Sequence, residues 1–262
     1  QVIKAWLKGK SIKSKLILSK ENLGAAHGLN ECLKKAKGDF VVFGSHDNIF
    51  HASRLKTLHD VIENQPDVKF ITHDAYSGFY EQFKKSIGYK VVGAAKYLDI
   101  SFKNIILFRS TLFQFDSFII SRELVGNYSQ HIKHNPVEDL ALVLYVNELY
   151  KKNMVHLSEP LFYKIKSYKS QTYLNAVSIK KSANIFLKNK ASNSFYVNIA
   201  IASIDQISFF RTNNLLSIIR NFIFNPVIFL CALFINMIRF TFHFITTKSV
   251  NIPNDFFLDT RK

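Results

Sequence analysis

Gly38-Asp39-Phe40-Val41-Val42-Phe43-Gly44-Ser45-His46-Asp47-Asn48 is the stretch on which the reading of this chain turns. Phe40 to Phe43 are apolar at consecutive positions, so the strand they predict must be covered on both faces, as parallel strands are. A polar turn with an acid follows it. Open α/β sheets bind ligands outside the carboxyl ends of their strands. A carboxylate there can hold Mg2+ or Mn2+, which in turn bridges a diphosphate. The plainer reading makes Asp47 and Asn48 turn residues that start the next helix.

The flanking segments alternate in period. Upstream, Lys15-Leu16-Ile17-Leu18 reads as a short buried strand. Ala25 to Lys37 reads as a helix with Ala26, Leu29, Leu33 and Ala36 on one face, and Gly38 as its C′ residue. Downstream, Leu55, Leu58, Val61 and Ile62 predict a helix over 53–63 that Pro66 closes, and Val68 to Thr72 predicts a third strand. Strand, helix, strand, helix, strand points to a parallel sheet with right-handed crossovers. Residues 76–115 are rich in aromatics and have no clear period. Phe118 to Ile120 is a further strand. Asn135-Pro136-Val137-Glu138 opens a helix that runs to about Tyr150, with Asn135 as N-cap, Pro136 at N1 and Glu138 as the capping-box partner. Val155 to Tyr163 is the last strand.

Composition narrows the class. The chain has 262 residues, 48% hydrophobic and 21% charged, which excludes a disordered polymer. Two cysteines, Cys32 and Cys231, are too few for a disulfide scaffold or a zinc cluster. The net charge of +16 implies an anionic partner, and the lysines from Lys151 to Lys190 carry much of the excess. From about residue 175 the character changes, which divides the chain into 1–175 and a helical, basic and apolar extension over 176–262. Within it Asn221 to Ile238 is free of charge and close to bilayer-crossing length, although Asn225-Pro226 and Asn236 interrupt it. It would either span a membrane or lie on an anionic leaflet, helped by Lys180, Lys181, Lys188 and Lys190. No apolar leader segment opens the chain, so a catalytic face on the cytoplasmic side of the cell membrane is expected.

Two further constellations can carry chemistry. Glu138-Asp139, in the first turn of a helix, can supply a general base, or can simply cap the helix and answer its dipole. Tyr163-Lys164-Ile165-Lys166-Ser167 with Lys169 can clamp a diphosphate leaving group, or can be a solvated basic loop. Nine histidines lack metal-ligand spacing, and there is no GxGxxG, P-loop, GxSxG or zinc-type CxxC. The basic run lacks interleaved stacking residues, so no nucleic-acid partner is expected.

Taken in order, these pieces resemble the family 2 glycosyltransferases of the GT-A fold. Asn22, Gly24 and Asn30 stand at the family's N-x-G-x-x-x-x-x-N. Gly38-Asp39-Phe40-Val41-Val42-Phe43 and Ser45-His46-Asp47-Asn48 stand at its strand and D-x-D turn, and Arg54-Leu55 at the basic-leucine pair of the next helix. Glu138-Asp139-Leu140 matches its later E-D, and Glu159-Pro160-Leu161-Phe162-Tyr163-Lys164 its closing strand. The resemblance covers roughly residues 10 to 172. It implies a GT-A, Rossmann-like, mixed but mostly parallel sheet flanked by helices. It also implies an inverting transfer of a single sugar from a nucleotide-sugar donor, expected to be a UDP-sugar, in surface polysaccharide synthesis. The acceptor would be a glycan or a lipid-linked glycan. In that picture Asp47 holds Mn2+ or Mg2+, and Asn22, Gly24, Asn30, Ser45 and Lys164 line the donor diphosphate. Asp139, or Glu138, takes the acceptor proton. The family's opening strand and D-D-G-S turn are not matched, so the chain reads as N-terminally truncated. Ser45 replaces the first D-x-D acid, and Asn48 a frequent third. A non-catalytic module that keeps the fold without the chemistry is the alternative.

Overall fold

The computed structural model describes residues 14–18, 20–91, 107, 115–125, 154–167, 185, 194–212, 225–246, 249–253 and 256. Helices α1 (Ala25–Lys35) and α2 (Arg54–Asn64) lie where the apolar spacing predicts them. Between them come β1 (Phe40–Val42) and β2 (Ile49–Phe50). Next are β3 (Phe70–Phe79), the short helix α3 (Tyr80–Lys84) and β4 (Ile87–Val91). A 3-10 turn (Phe115–Ser117) leads into β5 (Ile119–Ser121), and β6 runs from Met154 to Lys166. Helices α4 (Phe195–Thr212) and α5 (Pro226–Thr246) and strand β7 (Ser249–Asn251) complete the described elements.

β3 is the hub of the sheet. It pairs in parallel with β6 from Phe70↔Met154 to Phe79↔Lys166. Its other edge is shared: β5 takes Phe70 and Ile71, and β4 takes Ala75 to Ser77, both antiparallel. β1 joins β5, β2 joins β6 and β7 joins β4, all antiparallel. The sheet is therefore mixed, as expected, but not mostly parallel: among the described residues only β3 and β6 run together. The reason is specific. β1 and β3 do point the same way, as the strand-helix-strand reading requires, yet β5 is inserted between them and runs against both.

The core follows from the strand patterns. Eight of the ten positions of β3, Phe70 to Ala75 with Ser77 and Gly78, are buried without alternation, the mark of a strand covered on both faces. Leu58 on α2 packs against Val68, Ile71, Ile119 and Leu161 and closes one face. On α1, Leu33 and Asn30 turn inward while Cys32 and Lys34 stay out, one helical face against the body. Tyr163 is fully buried against Ile252 and Phe256, with Ile49, Tyr76 and Phe83 around it. Its hydroxyl donates to Ile87 O at 3.1 Å, and burial pushes its pKa up to about 12.

One buried cation joins these layers. The Arg54 side chain, 4% exposed, opens α2 and points into the protein. It donates to Phe43 O at 3.1 and 3.2 Å, to Asp116 O and, through Nε, to His73 Nε2 at 3.2 Å. It also lies 4.5 Å over the Phe50 ring. Burial lowers its pKa to about 10, so it is still a cation at neutral pH. Because Arg can only donate, His73 Nε2 must accept, and the imidazole proton sits on Nδ1, which donates to Asp74 O at 2.8 Å. Burial, first, and the nearby Arg54 charge push the His73 pKa down to about 3, partly offset by that Asp74 carbonyl. Across the β3–β6 ladder His156 bridges Asp74 Oδ1 at 2.9 Å and Thr72 Oγ1 at 2.7 Å, and Lys90 Nζ lies 3.7 Å from Asp74 Oδ2.

Several expectations are corrected. Residues 14–18 form no strand; Leu16, Ile17 and Leu18 are exposed, and among the described residues no strand lies beside them to pair with. Gly38 does not end α1 in the left-handed region. The helix stops at Lys35, and Ala36 turns extended (φ −64°, ψ 134°) toward β1. The aromatic segment does hold order at its start, since β3 continues to Phe79 and α3 and β4 follow. The C-terminal extension is not only helical, because β7 returns to the sheet. The helix expected over 135–150 and the boundary near 175 lie outside the described residues. α4 and α5 pack together through Ile199, Ala202 and Ala232, with Leu107. Among the described residues, no helix is long and apolar enough to cross a membrane.

Two outcomes follow from this packing. A methyl at Gly78 would run into the Tyr163 hydroxyl and come within 2.9 Å of Gln82 Oε1. Gly78→Ala should therefore destabilise the fold by about 1–3 kcal/mol, measured by denaturant unfolding. The second outcome concerns acid. Unfolded His73 takes up a proton near its ordinary 6.5, whereas folded His73 resists until about 3. The unfolded state thus binds the extra proton in that window, and stability falls as pH drops from about 6.5 toward 3, by up to roughly 1.4 kcal/mol per pH unit from this group. In His73→Gln this part of the slope should vanish from a pH series of unfolding curves.

Candidate functional site

The sequence-predicted residues fall into two groups. The first sits at the start of α1. Asn22 Oδ1 accepts from Gly24 N–H at 3.1 Å, an Asx turn that leads into the helix. Gly24 is the N-cap residue at φ 86°, a conformation that glycine adopts without strain. Asn30, one and a half turns on, is 4% exposed, and its Oδ1 accepts no hydrogen bond among the described residues. Asn22 and Gly24 are exposed.

The second group is the turn after β1. Ser45 O accepts from Asn48 N–H at 3.4 Å, which folds His46 and Asp47 outward between them. Asp47 is exposed, and its carboxylate makes no hydrogen bond or ion pair among the described residues. Asn48 is not a spare turn residue. Its Oδ1 accepts from Ile165 N–H at 3.2 Å, which ties the turn to β6. The register Ile49↔Tyr163 then sets Lys164, itself exposed, one position beyond the last β2–β6 pair, beside the turn. The structure thus brings Ser45, Asp47 and Lys164 to one sheet end. Asn22, Gly24 and Asn30 make no hydrogen bond to that turn. Glu138 and Asp139 lie outside the described residues.

Two buried residues brace this site: Arg54, which stands in the basic-leucine pair but whose core contacts no local pattern reveals, and Asp116, which stands in no motif. Arg54 fastens the end of β1, at Phe43 O, to the 3-10 turn, at Asp116 O. Asp116 is 5% exposed and reaches across 71 residues to the D-x-D turn: Oδ1 accepts from Ser45 N–H at 2.6 Å and from Ser45 Oγ at 2.7 Å, and Oδ2 from Asn48 Nδ2 at 2.5 Å. An acid just before a predicted strand was the only available hint, and it names no partner.

The donor set can be tested for a cation. Among the described residues no group of three or more His, Cys, Asp or Glu side chains could hold a metal ion. The turn offers one outward carboxylate, Asp47. That suits Mg2+ or Mn2+ bound through one carboxylate together with substrate phosphates and water, and does not suit an all-protein cage.

No curated protein matches the chain significantly. A family model does: residues 1–128 match the one described as glycosyl transferase family 2. The match spans α1, the β1 strand with its acid-bearing turn, α2, β3 and β5, and the mixed, helix-flanked sheet is compatible with GT-A. That match identifies residues 1–128 of the chain as a glycosyl transferase family 2 region.

Proposed function

We propose that the chain transfers one sugar, with inversion, from a nucleotide-sugar donor, a UDP-sugar by preference, to a glycan or lipid-linked acceptor of a surface polysaccharide. The observation that carries this reading is the outward Asp47 carboxylate on a braced turn at the end of β1, inside the stretch matched to the family. In this reading Asp47 binds the donor through a divalent cation, Mn2+ or Mg2+, which when bound would neutralise diphosphate charge as the leaving group departs. Lys164 would add a cation to the same phosphates from β6. Ser45, with Asn22, Gly24 and Asn30, would line the donor. Asp139, or Glu138, would hold the acceptor hydroxyl and take its proton as the new bond forms.

A second reading has one observation behind it. The Ser45 hydroxyl donates to Asp116 and brings no charge of its own, so the turn offers fewer acids than the D-x-D pattern. A GT-A module that binds a nucleotide without turnover would have such a turn.

We also place the protein on the cytoplasmic leaflet, peripherally, through α5. One face of α5 packs on α4, while Val227, Leu230, Leu233, Phe234, Met237 and Phe240 stand exposed on it. Such a face with a net charge of +16 suits an anionic leaflet, and the cytoplasmic leaflet is the anionic one.

The readings separate by measurement. Calorimetric titration of UDP should give binding that needs Mn2+, weakened at least about tenfold by Asp47→Ala, the equivalent of one lost charged contact. Asp139→Asn should leave that binding intact and slow sugar transfer by roughly 10²–10⁴-fold. Binding without turnover in the unaltered chain, with every donor tried, would favour the module. For the membrane, Phe234→Glu with Phe240→Glu should cut cosedimentation with phosphatidylserine vesicles by more than about tenfold and leave the unfolding temperature in place. Unchanged cosedimentation would remove α5 from the contact.

A further inference from the structure

The D-x-D turn is short of an acid at position 45, yet a carboxylate lies there in space. Asp116, on the 3-10 turn before β5, is buried at 5% exposure and brings Oδ1 to 2.7 Å from Ser45 Oγ. Its two oxygens accept three hydrogen bonds, from Ser45 N–H, Ser45 Oγ–H and Asn48 Nδ2–H, and so take hold of both ends of the turn that carries Asp47. Hydrogen bonds to an ionised acceptor are the strong kind. Asn48 passes the constraint on to Ile165 N–H, the neighbour of Lys164. The Asp116 backbone is fixed in turn by Arg54.

We propose that Asp116 is a positioning residue of the donor site: its carboxylate stands in for the acid absent at position 45 and fixes the Ser45–Asn48 turn so that Asp47 and Lys164 face one diphosphate. The proposal rests on the nucleotide-sugar reading above. Its physical core is a mutual exclusion. The serine hydroxyl can donate to Asp116. An aspartate in its place would put two carboxylates in contact, and like charges that close cannot both stay ionised cheaply. Positions 45 and 116 therefore form a unit that accommodates one acid, and the chain has placed that acid 71 residues downstream.

The test is an exchange of partners in the full 262-residue chain, read in two independent ways: the Kd for UDP with Mn2+, and hydrogen exchange of the Ser45 amide, which needs no ligand. Asp116→Asn should raise the Kd about tenfold and speed exchange by a similar factor, since a charged acceptor is lost. Ser45→Asp alone should do the same through repulsion. Ser45→Asp combined with Asp116→Asn should lose clearly less than the sum of the two single variants in both quantities, because the new amide can donate to the new acid while only one of the turn's other donors, the position-45 N–H or Asn48 Nδ2–H, is left without its acceptor. Additive loss in the double variant would overturn the proposal, as would a Ser45→Asp chain that behaves like the parent. If a single variant fails to fold, Ser45→Ala keeps the amide and drops only the hydroxyl donor. It should raise amide exchange by a few-fold, and no change there would count against the unit. Should the parent chain bind no UDP, the nucleotide reading fails, and the exchange rates alone still decide whether 45 and 116 are coupled.

Discussion

A buried guanidinium has to be answered on every side, and Arg54 is answered by three different parts of the chain. Phe43 O closes β1, Asp116 O belongs to the turn before β5, and His73 lies in the middle of β3. Leaving any of the guanidinium's N–H donors without its acceptor in the interior would carry the full desolvation penalty of a charged group. The geometry of the site is therefore inherited from a need for solvation. Satisfying Arg54 draws the end of β1 against the Asp116 turn, and that approach puts the Asp116 carboxylate within reach of Ser45. The Phe50 ring beneath the guanidinium adds a cation–π contact and ties β2 into the same cluster. His73 is part of the same arrangement: as a neutral acceptor it accommodates a cation that an imidazolium would repel.

The sheet organises the other half of the site. β6 is the longest strand described and pairs with β3 along nearly its whole length, with irregularities near Asp74. Those irregularities fall where the Asp74–His156 pair occupies the ladder. Beyond them β6 delivers Tyr163 to the core and Ile165 N–H to Asn48, so one strand supplies both a packing anchor and a hydrogen bond to the turn. Lys164, between those two inward positions, points to solvent by the ordinary alternation of a strand.

Local pattern made part of this legible. The faces of α1 and α2, the β1 strand and the strand near residue 119 all have periods that lie within a few residues of one another, and each is found where the pattern puts it, although β1 pairs antiparallel with β5 and leaves Val42 exposed rather than being covered on both faces. The apolar run at Leu16 to Leu18 shows the limit of such reasoning: a strand needs a neighbour as well as a composition, and none of the described strands is one. Sheet direction was half legible. β1 and β3 are indeed co-directional, but the insertion of β5 between them is a long-range pairing that no local period encodes. Of the site, the position of Asp47 could be read from its turn and Lys164 from its strand. Arg54 could be read as a helix-start residue but not as a core cation. Asp116 could not be read at all, because its role is a contact across 71 residues between groups that look unremarkable in their own segments.

The return of β7 to β4 has a further consequence. β4 would otherwise end the sheet with its backbone donors and acceptors open, an invitation to pairing with another chain. The stretch beyond α5 lies along that edge from Ile87↔Asn251 to Tyr89↔Ser249, and Ile252 then plugs in beside Tyr163. Residues 249–252 are thus a cover strip for that edge of the sheet. Anything that strips it away, a nick after α5 or a shortened C-terminus, would turn β4 into a sticky edge and make self-association the first symptom, ahead of any change at the Ser45–Asn48 turn.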